Sequence, residues 1–215
     1  MKDFIRSSRF HYSSGQLDEK NVNKNPIIQF ENWMEEAIDK KLPEPHTMIL
    51  STASKTGRPS GRVLLLRDFS EKGFIFYTNY KSRKGEEINQ NPWASLTFFW
   101  QQLERQVRIE GKLAKLSSKE SDDYFNSRPF ESRIGAIASN QSKIIESRKE
   151  LDNNYEMLLK KYSTKNVPRP VHWGGYCLKP LCIEFWQGRT NRLHDRILFT
   201  RKNVNEKWKV QRLAP

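Results

Sequence analysis

Met48-Ile49-Leu50-Ser51-Thr52-Ala53, Arg62-Val63-Leu64-Leu65-Leu66-Arg67 and Phe74-Ile75-Phe76-Tyr77-Thr78 are three short apolar runs, separated by Lys55-Thr56-Gly57-Arg58-Pro59 and by residues 68–73. Runs of this length, rich in aliphatic and aromatic residues and bounded by Gly, Pro and Asp, predict three strands of an antiparallel meander. Residues 82–90 predict a short helix capped by Ser82, with Arg83 and Lys84 in the first turn, where the helix dipole prefers acids. An anion bound at that helix start would account for the inversion. Residues 93–100 and 105–116 predict two longer strands. In the second, Gln106, Arg108 and Glu110 alternate with Val107 and Ile109, leaving one polar face that can meet a ligand inside a barrel. Residues 117–162 are helical in character, from the capping box Ser117-Ser118-Lys119-Glu120 to an amphipathic helix over 143–162. Strands resume at 175–186, 197–200 and 207–210. Toward the N-terminus, Pro26 opens a helix with one apolar face, formed by Ile27, Phe30, Trp33, Met34, Ala37 and Ile38. Residues 1–25, polar and rich in Ser, Asn and Lys, are expected to form a flexible arm. The pattern is α+β: a mostly antiparallel sheet or barrel with flanking helices, in a single domain over 26–215.

The chain has 215 residues, and its 38 Lys and Arg against 25 Asp and Glu give a net charge of +13. A chain of this length buries a core of its own as one domain or protomer. Its longest aliphatic run, Val63-Leu64-Leu65-Leu66, is far short of the roughly 20 apolar residues that span a bilayer, and Met1-Lys2-Asp3 begins no secretory signal. A soluble, cytoplasmic protein is expected. Cys177 and Cys182, with Pro180 between them, read as small buried hydrophobes in a reducing compartment. His11, His46, His172 and His194 are scattered, which argues against a zinc site. Residues 51–115 hold 12 basic against 6 acidic groups and residues 171–215 hold 9 against 3. Because those blocks also hold most of the strand-like sequence, the charge belongs to the folded body and not to a nucleic-acid-binding tail.

Three dense polar motifs carry chemistry. In Arg62-Val63-Leu64-Leu65-Leu66-Arg67 an otherwise core-like strand has a guanidinium at each end, whose planar fork matches phosphate, although ordinary edge-strand arginines give the same pattern. In Tyr77-Thr78-Asn79-Tyr80-Lys81-Ser82-Arg83-Lys84-Gly85 a strand end runs into a helix start, bringing hydroxyls, cations and free backbone N–H groups together. That combination suits a phosphate, although a merely solvated basic turn gives the same pattern, and it is not a Walker loop, since Gly-x4-Gly-Lys-Ser/Thr is absent. Glu184-Phe185-Trp186-Gln187-Gly188-Arg189-Thr190-Asn191-Arg192-Leu193-His194-Asp195-Arg196 sets arginines and a histidine beside aromatic rings, which suits a flat anionic ligand. Neither a Ser-His-Asp order nor a Gly-x-Ser-x-Gly elbow is present.

These motifs, with Gln106 in Arg105-Gln106-Val107-Arg108, Ser127-Arg128-Pro129, Asn140-Gln141-Ser142, Trp173-Gly174-Gly175-Tyr176 and Arg212-Leu213-Ala214-Pro215, closely resemble the pyridoxine (pyridoxamine) 5'-phosphate oxidase family. The resemblance runs in order from about residue 26 to residue 215. It implies an FMN-binding split β-barrel working as a homodimer, with the flavin at the subunit interface. Carried over residue by residue, it implies that Arg62, Val63, Leu64, Leu65, Tyr77, Thr78, Arg83, Lys84, Gln106, Gln141, Ser142, Trp186 and Arg196 surround FMN. It further implies that Arg67, Tyr124, Arg128 and Ser132 hold the substrate phosphate and that Arg192 and His194 cover the pyridine ring as the catalytic pair. Arg9 and Tyr12, three apart in the arm, would close over the site. One residue departs from the family pattern: the family's lysine on the substrate phosphate is Arg67 here, still cationic but longer and forked.

The implied reaction oxidises the C4' carbon of pyridoxamine or pyridoxine 5'-phosphate by hydride transfer to FMN, giving pyridoxal 5'-phosphate, and O2 reoxidises the flavin to give H2O2. Other readings are a different split-barrel flavin oxidoreductase, a flavin or pyridoxal-phosphate binding protein without turnover, and a basic nucleic-acid binder. Tyr124, Arg128 and Ser132 speak against the first, because they serve a second phosphate and not the flavin.

Overall fold

The computed structural model describes residues 1–7, 11–162 and 166–215. Its elements are α1 (Lys2–Ser7), α2 (Pro26–Asp39), β1 (Thr47–Ala53), β2 (Pro59–Leu65), β3 (Asp68–Ser70), β4 (Gly73–Asn79), α3 (Arg83–Gln90), β5 (Trp93–Trp100) and β6 (Arg105–Lys115). They continue as α4 (Ser118–Ser127), α5 (Phe130–Ala138), α6 (Arg148–Lys161), β7 (Trp173–Gln187), β8 (Asp195–Thr200) and β9 (Lys209–Leu213). The strand order is β2-β1-β5-β6-β7-β4-β3, with β8 on β7 and β9 on β8. The expected α+β class with a mostly antiparallel sheet holds.

The expected meander holds only for its first pair: β1 and β2 are neighbours, but β4 does not lie beside β2. It pairs antiparallel with β7, Phe74 opposite Leu178 and Thr78 opposite Gly174, and with the short β3. Burial explains the choice. β4 is buried or half-buried at every position and takes a neighbour on each edge, whereas β2 is exposed or half-buried throughout and lies at one end of the order. The expected 68–73 turn shrinks to Glu71 and Lys72 between Ser70 and Gly73. At Gly73 (φ 133°) the Leu178 carbonyl occupies the place of a Cβ, so only glycine closes this hairpin.

Local helix signals translate directly. Asn25 caps α2 by accepting from the Ile27 N–H, Pro26 sits in the first turn, and Ile27, Phe30, Trp33, Met34 and Ala37 are buried. Ser117 and Glu120 close the capping box of α4. The last long helix starts at Arg148 and not at residue 143. Ser147 caps it by accepting from the Glu150 N–H, which leaves 139–147 as a loop carrying Gln141 and Ser142.

Contacts group into two units, Met1–Ile49 with Ser95–Gly111 and Pro180–Pro215, and Leu50–Ala94 with Lys112–Lys179. In the first, Phe30 packs on Phe98 and Trp33 meets Phe185 edge-on, with ring centroids 5.0 and 5.2 Å apart. Burying a side chain such as Phe30 contributes about 1.5–3 kcal/mol. The N-terminal segment joins this unit: Ser13 and Ser14 N–H groups donate to Glu104 Oε2, Leu17 N–H donates to Asp195 Oδ2, and Leu17 and Val22 are buried. The second unit has its own core of Phe125, Ile134, Ala138, Leu158, Val167 and Trp173. Cys177 is buried and Cys182 half-buried, both as free thiols, and burial pushes both thiols up, Cys182 to about 11. Among the described residues no helix is long and apolar enough to cross a membrane.

Candidate functional site

In the second unit, β1, β2, β4 and α3 bring the first two motifs together. Arg62 sends Nη1 to the Leu50 carbonyl (3.1 Å) and Thr52 Oγ1 (2.6 Å), and Nη2 to Ser60 Oγ and Glu87 Oε2. The Thr52 and Ser60 hydroxyls in turn donate to Glu87 Oε2 at 2.5 and 2.6 Å, and Arg83 Nε donates to Glu87 Oε1 at 2.9 Å. Burial pushes the Glu87 carboxyl up, but the hydrogen bonds from Ser60, Thr52 and Arg83 and the charge of Arg62 outweigh it and hold the group at about 2.

Lys84, in the first turn of α3, is only 8% exposed. Its Nζ donates to Gln141 Oε1 (2.8 Å), Thr78 Oγ1 (3.2 Å) and Ser82 Oγ (3.4 Å), all neutral acceptors. Burial and the charge of Arg62, opposed by Glu87, bring its pKa down to about 8. Among the described residues no carboxylate forms a salt bridge with it. A buried ammonium without a counter-ion, at a helix start and beside two arginines, is a donor set that a phosphate completes.

Next to this cradle lies a cavity of about 320 Å³ lined by Asn79, Arg128, Ser132, Gly135, Ala136, Ser139, Gln141 and Trp173. Gln141 belongs to both, since it accepts from Lys84 and also lines the cavity. Arg128 rests on the indole of Trp173, and its buried Nη1 has no hydrogen-bond partner among the described residues. Burial pulls Arg128 below its ordinary pKa, the charge of Arg67 adds to the shift and Tyr124 opposes it, so these three groups feel one another. Tyr77, Tyr124 and Trp173 are nearly parallel rings. Tyr77 and Tyr124 stack with centroids 3.7 Å apart, and burial pushes the Tyr77 hydroxyl up to about 12.

In the first unit, the third motif makes a separate cluster. Tyr12 meets Trp186 and His194 edge-on at 5.6 and 5.4 Å, while Trp186 and His194 lie 4.7 Å apart. Gly188 gives the Tyr12 ring its seat, since a Cβ there would lie 2.6 Å from a ring carbon. His194 Nδ1 accepts from the Arg189 N–H at 3.1 Å, which leaves its proton on Nε2. Burial and the nearby charge of Arg192 hold His194 below its ordinary pKa, so the neutral donor form prevails near pH 7. Asn191 and Arg192 take left-handed backbone angles (φ 57° and 61°), and Arg192 is exposed. Arg196 grips the buried Glu184 with both ends of its fork, at 2.8 and 3.1 Å, and bonds the Ala214 carbonyl.

Arg62, Tyr77, Thr78, Arg83, Lys84, Tyr124, Arg128, Ser132 and Gln141 thus converge in one unit, and Tyr12, Trp186, His194 and Arg196 in the other. Val63 is exposed, Leu64 and Leu65 are half-buried beside Arg62, and Gln106 is half-buried on the polar face of β6. Ser142 sits in the loop after Gln141 at φ 71°. Arg67 is exposed, just past β2, and Arg9 lies outside the described residues. Sequence reasoning missed Thr52, Ser60, Glu87 and Glu184 as partners of the arginines. Glu87 stands four residues after Arg83, a readable helix pair, but nothing local signals its burial.

The chain thus carries a buried cationic cradle beside an aromatic-walled cavity on an antiparallel α+β sheet. The profile described as "Pyridoxamine 5'-phosphate oxidase" matches residues 34–158, and that described as "Pyridoxine 5'-phosphate oxidase C-terminal dimerisation region" matches residues 173–215. The pyridoxine/pyridoxamine 5'-phosphate oxidases of Paraburkholderia phytofirmans and Paraburkholderia xenovorans are each 53% identical over 207 residues, covering 96% of this chain and 97% of theirs. Among solved structures, PhzG from Burkholderia lata 383, in complex with tetrahydrophenazine-1-carboxylic acid, is 31% identical with a TM-score of 0.86, covering 93% of this chain and 98% of its own. A pyridoxamine 5'-phosphate oxidase-related, FMN-binding protein of Nostoc punctiforme shares the fold at 19% identity and a TM-score of 0.68, covering 86% of this chain and 97% of its own. The chain belongs to the pyridoxine/pyridoxamine 5'-phosphate oxidase family, whose members are FMN-dependent oxidases.

Proposed function

We propose that this chain oxidises pyridoxamine 5'-phosphate and pyridoxine 5'-phosphate to pyridoxal 5'-phosphate in the cytoplasm, as a homodimer with FMN at the subunit interface. The observation that carries the reading is Gln141, which joins two anion sites by bonding Lys84 of the cradle and lining the cavity of Arg128 and Ser132. A flavin phosphate needs one such site, and a second calls for a second phosphate. The names of the 53% identical relatives and the dimerisation region over 173–215 support the same reading.

In this reading Arg62, Arg83, Lys84 and Thr78 hold the flavin phosphate. Val63, Leu64, Leu65, Tyr77, Gln106, Gln141, Ser142, Trp186 and Arg196 line the rest of the cofactor site. Bound FMN supplies the hydride acceptor, and O2 restores it with release of H2O2. Arg67, Tyr124, Arg128 and Ser132 hold the substrate phosphate. Arg192 covers the pyridine ring, and His194 donates to its polar edge through Nε2, the tautomer set by the Arg189 N–H. Arg9 and Tyr12 close the arm over the substrate and exclude water. The test is an FMN-loaded protein given pyridoxamine 5'-phosphate, with pyridoxal 5'-phosphate and peroxide followed together. Equimolar appearance of both, with far slower turnover of unphosphorylated pyridoxamine, is expected. Equal rates with and without the phosphate, or no peroxide, would overturn the reading.

A further inference from the structure

Glu87 has the wrong sign of charge for an anion cradle, yet the cradle's arginines are tied to it. Its Oε1 accepts from Arg83 on α3, and its Oε2 accepts from Thr52 on β1, Ser60 on β2 and Arg62 on β2. At 7% exposure the carboxylate is withdrawn from water, so these donors are its solvation. Three cations in one place repel each other: the charge of Arg83 bears on Arg62, and that of Arg62 bears on Lys84. A bridging carboxylate relieves that repulsion and fixes two arginines from different elements relative to one another before any ligand arrives. Arg62, Arg83 and Lys84 with Glu87 leave two net positive charges, the complement of a phosphate dianion.

We propose that Glu87 is the positioning residue of the phosphate cradle, holding Arg62 and Arg83 through a carboxylate braced by Thr52 and Ser60, and thereby giving the site its preference for phosphorylated over unphosphorylated flavin. The inference rests on the reading that Arg62, Arg83 and Lys84 take the FMN phosphate. It predicts a result opposite to that of simple charge repulsion, under which removing the carboxylate would tighten phosphate binding.

The experiment titrates apo-protein with FMN and, separately, with riboflavin, following quenching of flavin fluorescence, for the wild type, Glu87→Gln and Thr52→Val. The wild type is expected to prefer FMN strongly. Glu87→Gln is expected to lose about tenfold or more in FMN affinity, the effect of one or two charge-assisted hydrogen bonds, with riboflavin affinity changed by less than about twofold. Thr52→Val should move the same way by less. Unchanged or tighter FMN binding by Glu87→Gln overturns the proposal, as does an equal loss for both flavins, which would mark a general structural role. A wild type that does not prefer FMN overturns the cradle reading itself and the proposal with it. If Glu87→Gln does not fold, Thr52→Val and Ser60→Ala, which remove only the bracing hydroxyls, must show the FMN-selective loss or the proposal fails.

Discussion

The Arg128 guanidinium carbon lies 4.7 Å from the centroid of the Trp173 indole, and its buried Nη1 has no hydrogen-bond partner among the described residues. The indole face steadies the cation, but a buried N–H without an acceptor costs about 1–3 kcal/mol. This donor lies at the wall of the cavity that also holds Ser132 and Gln141, and in the proposed reading the substrate phosphate supplies its acceptor. Arg128→Met should raise KM for pyridoxamine 5'-phosphate by about tenfold or more, from the loss of a charge-assisted bond. It should leave the apo-protein's Tm unchanged or higher. Steady-state peroxide assays with thermal unfolding check both, and a fall in Tm with normal KM would contradict the assignment.

Arg67, which the family resemblance sets in place of a lysine, is exposed and its charge is felt at Arg128. Because charge and not fork geometry is what Arg67 contributes at this exposed position, Arg67→Lys should change KM by less than about tenfold, roughly 1.4 kcal/mol. A larger loss would show that the guanidinium makes a bond that an ammonium cannot.

Lys84 titrates near pH 8 in the apo-protein because burial and Arg62 disfavour its charge. A bound phosphate favours the charged form and raises that pKa, so binding takes up a proton once the pH exceeds about 8. FMN affinity should be flat with respect to this group below pH 8 and fall above it by up to about tenfold per pH unit. Fluorescence titrations between pH 7 and pH 10 measure this, and Lys84→Arg, which stays charged, should flatten the profile.

Glu87 is held at about 2 in the folded chain against 4.5 as its ordinary value. Below pH 4.5 the unfolded carboxyl takes a proton that the folded one refuses, so the unfolded state binds more protons and stability falls as the pH falls toward 2. The contribution is on the order of 3 kcal/mol, present above pH 4.5 and lost across that window. Urea unfolding at pH 5 and pH 3 should show a smaller difference in Glu87→Gln than in the wild type.

Arg192 is exposed on a left-handed stretch of backbone, beside a neutral His194. Arg192→Ala should retain its FMN and lose about a hundredfold in kcat/KM, close to 2.7 kcal/mol of transition-state binding. A flavin-loaded variant with full kcat/KM would remove Arg192 from the catalytic role.

Much of this was legible in the chain because it depends on near neighbours. The apolar period from Ile27 to Ala37, the caps at Ser82 and Ser117, and the alternation around Val107 and Ile109 each involve residues within a few positions of one another. The motifs ending in Arg196 carry the family resemblance in the same way, as residue order. The second partner of β4 was not legible: it lies about a hundred residues away on β7, whereas the sequence reading placed β4 beside the strand at 62–67. The start of α6 was missed because charge pairs and apolar spacing continue through 143–147, where the backbone does not.

By itself the sequence determined the α+β class and the family, since propensity, period and motif order are properties of the chain. Only the tertiary structure decided that Glu87, half of a surface-like pair with Arg83 on paper, is buried and accepts from Thr52 on β1 and Ser60 on β2 while Arg83 stays exposed. It likewise decided that Lys84 is nearly withdrawn from water and that Arg128 keeps an N–H without a partner among the described residues. Desolvation and hydrogen-bond completion depend on every group packed nearby, however distant in sequence, and these set the charge state of a site.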